Sequence, residues 1–200
     1  MPSQIDRWNE RYENTDLLWS AEPNRFLPPE VEGLTPGRAL DLACGEGRNA
    51  IWLAEQGWDV TAVDFSDVAV ERGRRIAADR GVAVDFAVAD VVGFEPAGAY
   101  DLVIVFYLQL PEDERAQVLA AAAGALAPGG TLLFVGHDRD NLTNGHGGPQ
   151  DPAVLPVASE VAAELGGLDV ERGGVVQRDV EVDGTTVTAI DTFVLARRPV

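Results

Sequence analysis

Three carboxylates stand where they would make poor core residues. Asp41 interrupts the apolar run Leu40-Asp41-Leu42, Asp64 closes the run Val60-Thr61-Ala62-Val63, and Asp90 follows Val88-Ala89. Burying a carboxylate is costly unless something binds it. Three of them in or at the ends of strands read as one ligand-facing edge. The first is followed by Ala43-Cys44-Gly45-Glu46-Gly47. Gly45 and Gly47 allow a tight turn and let a ligand approach the backbone closely. The helical pattern that begins at Arg48 adds free N–H groups for a ligand's polar atoms. Cys44 reads as a small buried hydrophobe rather than a nucleophile. Further along, His137 and Asp138 directly follow an apolar strand. Histidine is the usual proton carrier near neutral pH, so His137 is the candidate general base.

The elements that must position these residues alternate along the chain. Residues 3–14 predict a helix capped by Ser3, with Ile5, Trp8 and Tyr12 on one face. A strand at 39–42 leads into the glycine turn and a helix over 48–56. Strands follow at 59–66, 84–90, 100–107 and 131–135, with helices from Ser66 or Asp67 to Arg80 and from Pro111. The unbroken apolar run at 102–106 predicts burial on both faces, as in a central parallel strand. Such an order argues for an α/β, doubly wound parallel sheet. Pro128-Gly129-Gly130 marks the end of the second of these helices. Residues 138–157 are rich in Gly, Pro, Asn and Asp, and their length suggests a lid or substrate loop. A short helix over 159–165 precedes two strands, 170–182 and 186–196, joined by the hairpin signal Asp183-Gly184. No linker divides the chain. A single domain is expected, with 1–36 as an N-terminal cover and 37–200 as the core.

Composition removes several functions. The 200 residues carry a formal net charge of −18, and all fifteen basic residues are arginine. Without lysine there is no P-loop and no Schiff-base nucleophile. A strongly acidic surface with no basic run disfavours nucleic acid. No apolar run is long enough to span a bilayer, and the N-terminal residues lack a signal-peptide pattern. A single cysteine makes no internal disulfide. A cytoplasmic protein, monomer or homodimer, is expected. The two histidines lack metal-site partners at a recognisable spacing, so no metal is expected.

Gly45-Glu46-Gly47-Arg48-Asn49-Ala50 also satisfies the dinucleotide fingerprint, with Asp64 placed to hold a ribose. Asp41 inside the first strand and Asp90 at the end of the third point away from it. So does the impossibility of a Tyr-x-x-x-Lys pair. Leu40-Asp-Leu-Ala-Cys-Gly-Glu-Gly-Arg48, Val63-Asp-Phe-Ser66, Val88-Ala-Asp90, Tyr100-Asp-Leu-Val103 and Pro128-Gly-Gly-Thr-Leu-Leu133 together resemble the successive motifs of class I S-adenosylmethionine-dependent methyltransferases. The continuation Gly47-Arg48-Asn49 resembles the tellurite-resistance and thiopurine subgroup. Ala43 departs from the glycine usual in the family.

The resemblance implies a seven-stranded, Rossmann-like sheet with the last strand antiparallel between the fifth and sixth. It implies S-adenosylmethionine as cofactor, with Asp41, Gly45, Gly47 and Phe106 on the methionine side, Asp64 on the ribose, and Asp90 and Val91 on the adenine. Ala43, Cys44, Asn49 and Phe65 fall in the same cofactor set. Arg178 matches an arginine that acts on substrate in tellurite-resistance relatives, whereas Gln177 stands where they have histidine. His137 and Arg178 are thus the catalytic candidates, and Trp19, Arg25, Tyr107 and His146 the substrate-binding ones. The expected reaction is methyl transfer to a small molecule, with a thiol or oxyanion slightly favoured because such acceptors need no base. A nicotinamide-dependent oxidoreductase and a non-catalytic cofactor-binding protein are the alternatives.

Overall fold

The structure is a computed structural model that describes residues 4–14 and 22–200. Ser3, the expected cap, and Trp19 lie outside the described residues. Seven strands form one sheet in the order β3-β2-β1-β4-β5-β7-β6. The first five are β1 (Arg38–Leu42), β2 (Asp59–Asp64), β3 (Asp85–Val88), β4 (Tyr100–Phe106) and β5 (Leu126–His137). They are mutually parallel. β7 (Thr185–Arg197) runs antiparallel between β5 and β6 (Asp169–Val182), as expected. The chain crosses from β1 to β2 on one side and later returns to β4 on the other. The carboxyl ends of β1 and β4 therefore flank the switch point where ligands of such sheets bind.

Both faces of the sheet are covered. Leu40, Leu42, Val103, Val105 and Phe134 pack with Val118 and Leu119 of α5 (Glu112–Ala125) and Val161 of α7 (Ala158–Glu164). Residues of opposite parity, such as Ala39, Ala62, Leu102 and Ile104, pack with Ile51 and Leu53 of α3 (Arg48–Glu55) and Val70 and Ala77 of α4 (Asp67–Asp79). This is why β4 reads as a continuous apolar run. Arg115, fully buried on α5, donates twice to Glu164 at 2.9 and 2.6 Å and locks α5 to α7.

Two elements differ from expectation. α5 stops at Ala125, before the Pro-Gly-Gly signal, because Pro128 disfavours helical backbone just ahead of it. The chain extends at once, and Leu126 pairs with Tyr100 ahead of a register shift. Residues 138–157 are not a lid. They hold two short helical turns, α6 (Asn141–Asn144) and a 3-10 turn at Pro152–Val154, and are tied down to β7. Buried Asn141 accepts from the Ile190 N–H at 2.7 Å and donates to the Gly147 carbonyl at 2.8 Å. The Thr192 hydroxyl is shared between Asp138 and the Pro156 carbonyl at 2.6 and 2.9 Å.

The turn after β1 contains a left-handed alanine, Ala43, at φ 62°. Gly47 is also left-handed, at φ 76°, and it faces inward. A Cβ there would lie 2.6 Å from the Phe86 ring of β3. Gly47 is thus a packing glycine against β3, not the ligand-facing one expected. The two positions should respond oppositely to substitution. Left-handed backbone costs a non-glycine residue about 1–2 kcal/mol, partly offset by the looser unfolded chain that glycine brings. Ala43→Gly is expected to stabilise the protein by about 0.5–1 kcal/mol in urea unfolding. Gly47→Ala combines the same backbone strain with a steric clash and should destabilise it by about 2 kcal/mol or more. A stabilising Gly47→Ala would refute this account of the turn.

Candidate active site

A cavity of about 520 Å³ opens at the carboxyl ends of β1, β2 and β4. Ala43, Cys44, Gly45 and Asn49 line it from the glycine turn and the start of α3. Asp64 and Phe65 line it from the end of β2, Asp90 and Val91 from beyond β3, and Phe106 and Tyr107 from the end of β4. His137, Arg178 and Arg25 complete the expected set that the structure brings together. Three expected residues are placed elsewhere. Gly47 packs on Phe86, Asp41 lies beneath the cavity and His146 is exposed in the loop after α6, outside the cavity lining.

Asp64 is a clamp as well as a wall. Its carboxylate accepts from the Gly45 N–H at 2.8 Å and from the Ser66 N–H at 2.9 Å. It thereby fixes the glycine turn to the entry of α4, where the Ser66 hydroxyl accepts from the Ala69 N–H at 3.1 Å as N-cap. Burial raises the Asp64 pKa despite these two hydrogen bonds. Asp41 points to the α3 face, like Ala39 two residues before it. It accepts from the backbone N–H of Ala50 in the first turn of α3, while its Oδ2 is buried with no partner. Burial, reinforced by the Asp64 charge, pushes its pKa up to about 7. The Cys44 thiol is pushed up well above its ordinary value by burial and by the Asp41 and Asp64 charges, so it stays protonated and is no nucleophile.

The cover comes from the N-terminal segment, in place of the loop at 138–157. α1 (Gln4–Glu13) lays Gln4, Ile5, Trp8 and Tyr12 over the cavity. It is docked on α4 by Asn9, which donates to Asp67 at 2.9 Å and accepts from the Ser66 hydroxyl at 2.5 Å. Arg72 adds a bond to the Tyr12 carbonyl at 2.8 Å and an ion pair with Glu46 at 2.6 Å. A second strap joins the buried Asn24 N–H to Asn49 Oδ1 at 2.8 Å. Asn49 therefore anchors the cover as well as lining the cavity.

At the opposite wall, a residue not anticipated from sequence gathers three others. Asp191 of β7 is fully buried. Its Oδ2 accepts from the Tyr107 hydroxyl at 2.9 Å and from Arg178 Nε at 2.6 Å, and its Oδ1 lies 3.2 Å from His137 Nδ1. Burial and the Asp191 charge push the Tyr107 phenol up to about 12, so at neutral pH it remains a donor. Burial opposes the charge on Arg178, but Tyr107 and Asp191 outweigh it and raise the guanidinium pKa. Arg48, another cavity cation missed from sequence, is pulled down by burial. The signal for Asp191 was present: a lone acid in the run Ala189-Ile190-Asp191-Thr192-Phe193, the same signature that singled out Asp41.

Residues 39–130 match the family described as a methyltransferase domain. The chain is 28% identical over 142 residues to a 2-heptyl-1-hydroxyquinolin-4(1H)-one methyltransferase of Mycobacteroides abscessus, covering 69% of this chain and 62% of that one. It is 34% identical over 114 residues to ribosomal RNA small subunit methyltransferase C of Chromohalobacter salexigens, covering 54% and 34%. In both cases the match spans less than two thirds of the relative's own length. Among solved structures, the N-methyltransferase NodS of Bradyrhizobium japonicum superposes with a TM-score of 0.74 at 18% identity, covering 99% and 100% of the two chains. TehB of Haemophilus influenzae gives 0.75 at 17%, covering 97% and 66%. The fold is the Rossmann-like methyltransferase fold.

Asp41 ties the free protein's stability to pH. Its pKa is raised in the folded state, so the folded protein holds a proton that the unfolded chain releases near pH 3.8. That contribution is complete below the unfolded pKa and is lost as pH rises through about 7. The loss is on the order of a few kcal/mol, at roughly 1.4 kcal/mol per unit. Asp41→Asn should remove it. The melting-temperature advantage of the variant should therefore widen between about pH 5 and pH 8. A constant gap would show that Asp41 does not titrate in this range.

Proposed function

Because residues 39–130 carry a methyltransferase domain, we propose that this protein is an S-adenosylmethionine-dependent methyltransferase acting on a small molecule. The observation that carries the reading is the cavity at the switch point, acidic at its β1–β2–β3 end. Asp64 and Asp90 line that end, and Asp41 lies beneath it with one carboxylate oxygen unpartnered. This donor set suits a cofactor bearing sulfonium and ammonium charges and would repel a pyrophosphate. The volume is in the range of small-molecule sites. Bound there, S-adenosylmethionine supplies an electrophilic methyl carbon.

The residues divide the work by position. The Gly45 turn and Phe106 bound the methionine side. Asp64 retains acceptor capacity for ribose hydroxyls beyond its two backbone bonds. Asp90 and Val91 meet the adenine. Tyr107, His137, Arg178 and Arg25 form the acceptor side. α1 excludes water, and the cavity's alignment of the two reactants can contribute about 7–11 kcal/mol of barrier lowering. For a hydroxyl or amine acceptor His137 takes the proton; a thiolate or oxyanion needs no base. A small acceptor fits an enclosed cavity in a chain of net charge −18 better than a nucleic acid backbone does, although one relative acts on ribosomal RNA. The Gly47-Arg48-Asn49 continuation and the likeness to TehB support a place beside the tellurite-resistance branch.

Calorimetry tests the cofactor directly. The protein should bind S-adenosylhomocysteine and not NADH; the reverse result overturns the reading. Asp64→Ala should weaken that binding about tenfold or more, at about 1.4 kcal/mol per tenfold. Unchanged affinity in a folded variant would remove Asp64 from the cofactor site. Once a screen for S-adenosylhomocysteine release has found a hydroxyl or amine acceptor, His137→Ala should lower turnover about 10²-fold or more with cofactor affinity intact. Unchanged turnover removes His137 from the chemistry.

A further inference from the structure

We propose that Asp191 is the positioning residue of the acceptor side, holding the proton of neutral His137 on Nδ1 and leaving Nε2 to accept the substrate's proton. The inference rests on the reading of His137 as the base. It starts from the way Asp191 is used. One oxygen is occupied by two donors, the Tyr107 hydroxyl at 2.9 Å and Arg178 Nε at 2.6 Å. The other, Oδ1, has no hydrogen-bond partner, and neither has His137 Nδ1. These two buried atoms face each other at 3.2 Å, off the line a hydrogen bond requires. Turning the ring to aim Nδ1–H at Oδ1 would close the bond.

Only one tautomer suits this arrangement. With the proton on Nε2, the Nδ1 lone pair would face a carboxylate lone pair in a buried setting, where repulsion is strongest. With the proton on Nδ1, both orphan atoms are satisfied. His137 lines the cavity, so the remaining nitrogen is the one available to it. The ring has little room to turn over. The Tyr107 ring lies 4.9 Å from it, centroid to centroid, and a Cβ on Gly148 would lie 2.9 Å from its Cγ. Tyr107 is itself held, with left-handed backbone at φ 56° and its N–H on the Val135 carbonyl at 2.6 Å. The Arg178 charge beside Asp191 offsets the cost of burying the carboxylate. One side chain thus fixes residues from the ends of β4 and β5 and from β6. A buried carboxylate setting the tautomer of a catalytic imidazole is a general device.

The test does not need the acceptor. The protein has two histidines, and His146 is exposed and serves as an internal reference. Long-range 1H–15N spectra at alkaline pH should show His137 protonated on Nδ1 in the wild-type protein. Protonation on Nε2 overturns the proposal without any variant. In Asp191→Asn, Arg178 and Tyr107 still require an acceptor, so the amide NH2 turns to His137. The proton should then move to Nε2. Retention of the Nδ1 tautomer in a folded Asp191→Asn protein also overturns it. S-adenosylhomocysteine affinity should be unchanged in the same variant, because Asp191 does not line the cavity. Failure of the wild-type protein to bind S-adenosylhomocysteine would instead count against the cofactor reading and leave the tautomer result to stand on its own.

Discussion

The Asp64 carboxylate holds two loops at once, and the shape of the cavity depends on it. The turn after β1 must reverse sharply, with Ala43, Gly45 and Gly47 all in left-handed backbone. Hydrogen bonds from backbone N–H to a carboxylate are stronger than neutral ones, and the Gly45 bond to Asp64 helps offset that strain. The Ser66 N–H bond fixes the start of α4 from the same carboxylate, and α4 in turn carries the contacts that dock α1 over the opening. Turn, helix and cover are thus serially dependent. Glycine is needed at Gly47 for a different reason, the approach of Phe86 from β3. Gly73 of α4 packs against the same ring, where a Cβ would lie 2.8 Å away.

The sheet was readable because its signals are local. Alternating strands and helices, the unbroken apolar run of β4 and the Asp183-Gly184 turn all encode their state within a few residues, and the observed order and antiparallel β7 agree with them. The strand-end acids were readable for the same reason: each breaks an apolar pattern. Their orientation was not. Asp41 and Asp64 look alike in sequence, yet the parity of β1 turns Asp41 to the α3 face and the end of β2 leaves Asp64 on the cavity. The loop at 138–157 misled because length and composition describe a connection but not its anchors. Asn141 and Thr192, buried and hydrogen-bonded, convert it from a lid into part of the sheet's flank.

Charge placement separates the two halves of the cavity. Carboxylates dominate at β1–β2–β3, where burial raises the pKa of Asp41 and Asp64 and the Arg48 charge only partly offsets it at Asp41. That half gains most from a cationic ligand. At β4–β6 the pattern reverses. Arg178 lines the wall there, and it pairs with the buried carboxylate of Asp191. An acidic chain without lysine places its cavity cations as arginines, whose planar guanidinium suits a buried ion pair better than an ammonium does.

Tyr107, His137 and Arg178 were readable from the sequence one by one, but Asp191, which joins them, was not, and the reason is physical. The acidic half of the cavity is built from one turn and the ends of consecutive strands, so its residues come in recognisable strings. The opposite wall is assembled from β4, β5, β6, β7 and the N-terminal segment, far apart in the chain, and no string records their meeting. At its centre is a single desolvated carboxylate that accepts from Tyr107 and Arg178 and lies 3.2 Å from His137. Such a node specifies one arrangement, because removing any partner leaves buried charge or an unmade hydrogen bond. A site held this way presents its polar groups in fixed directions to whatever enters.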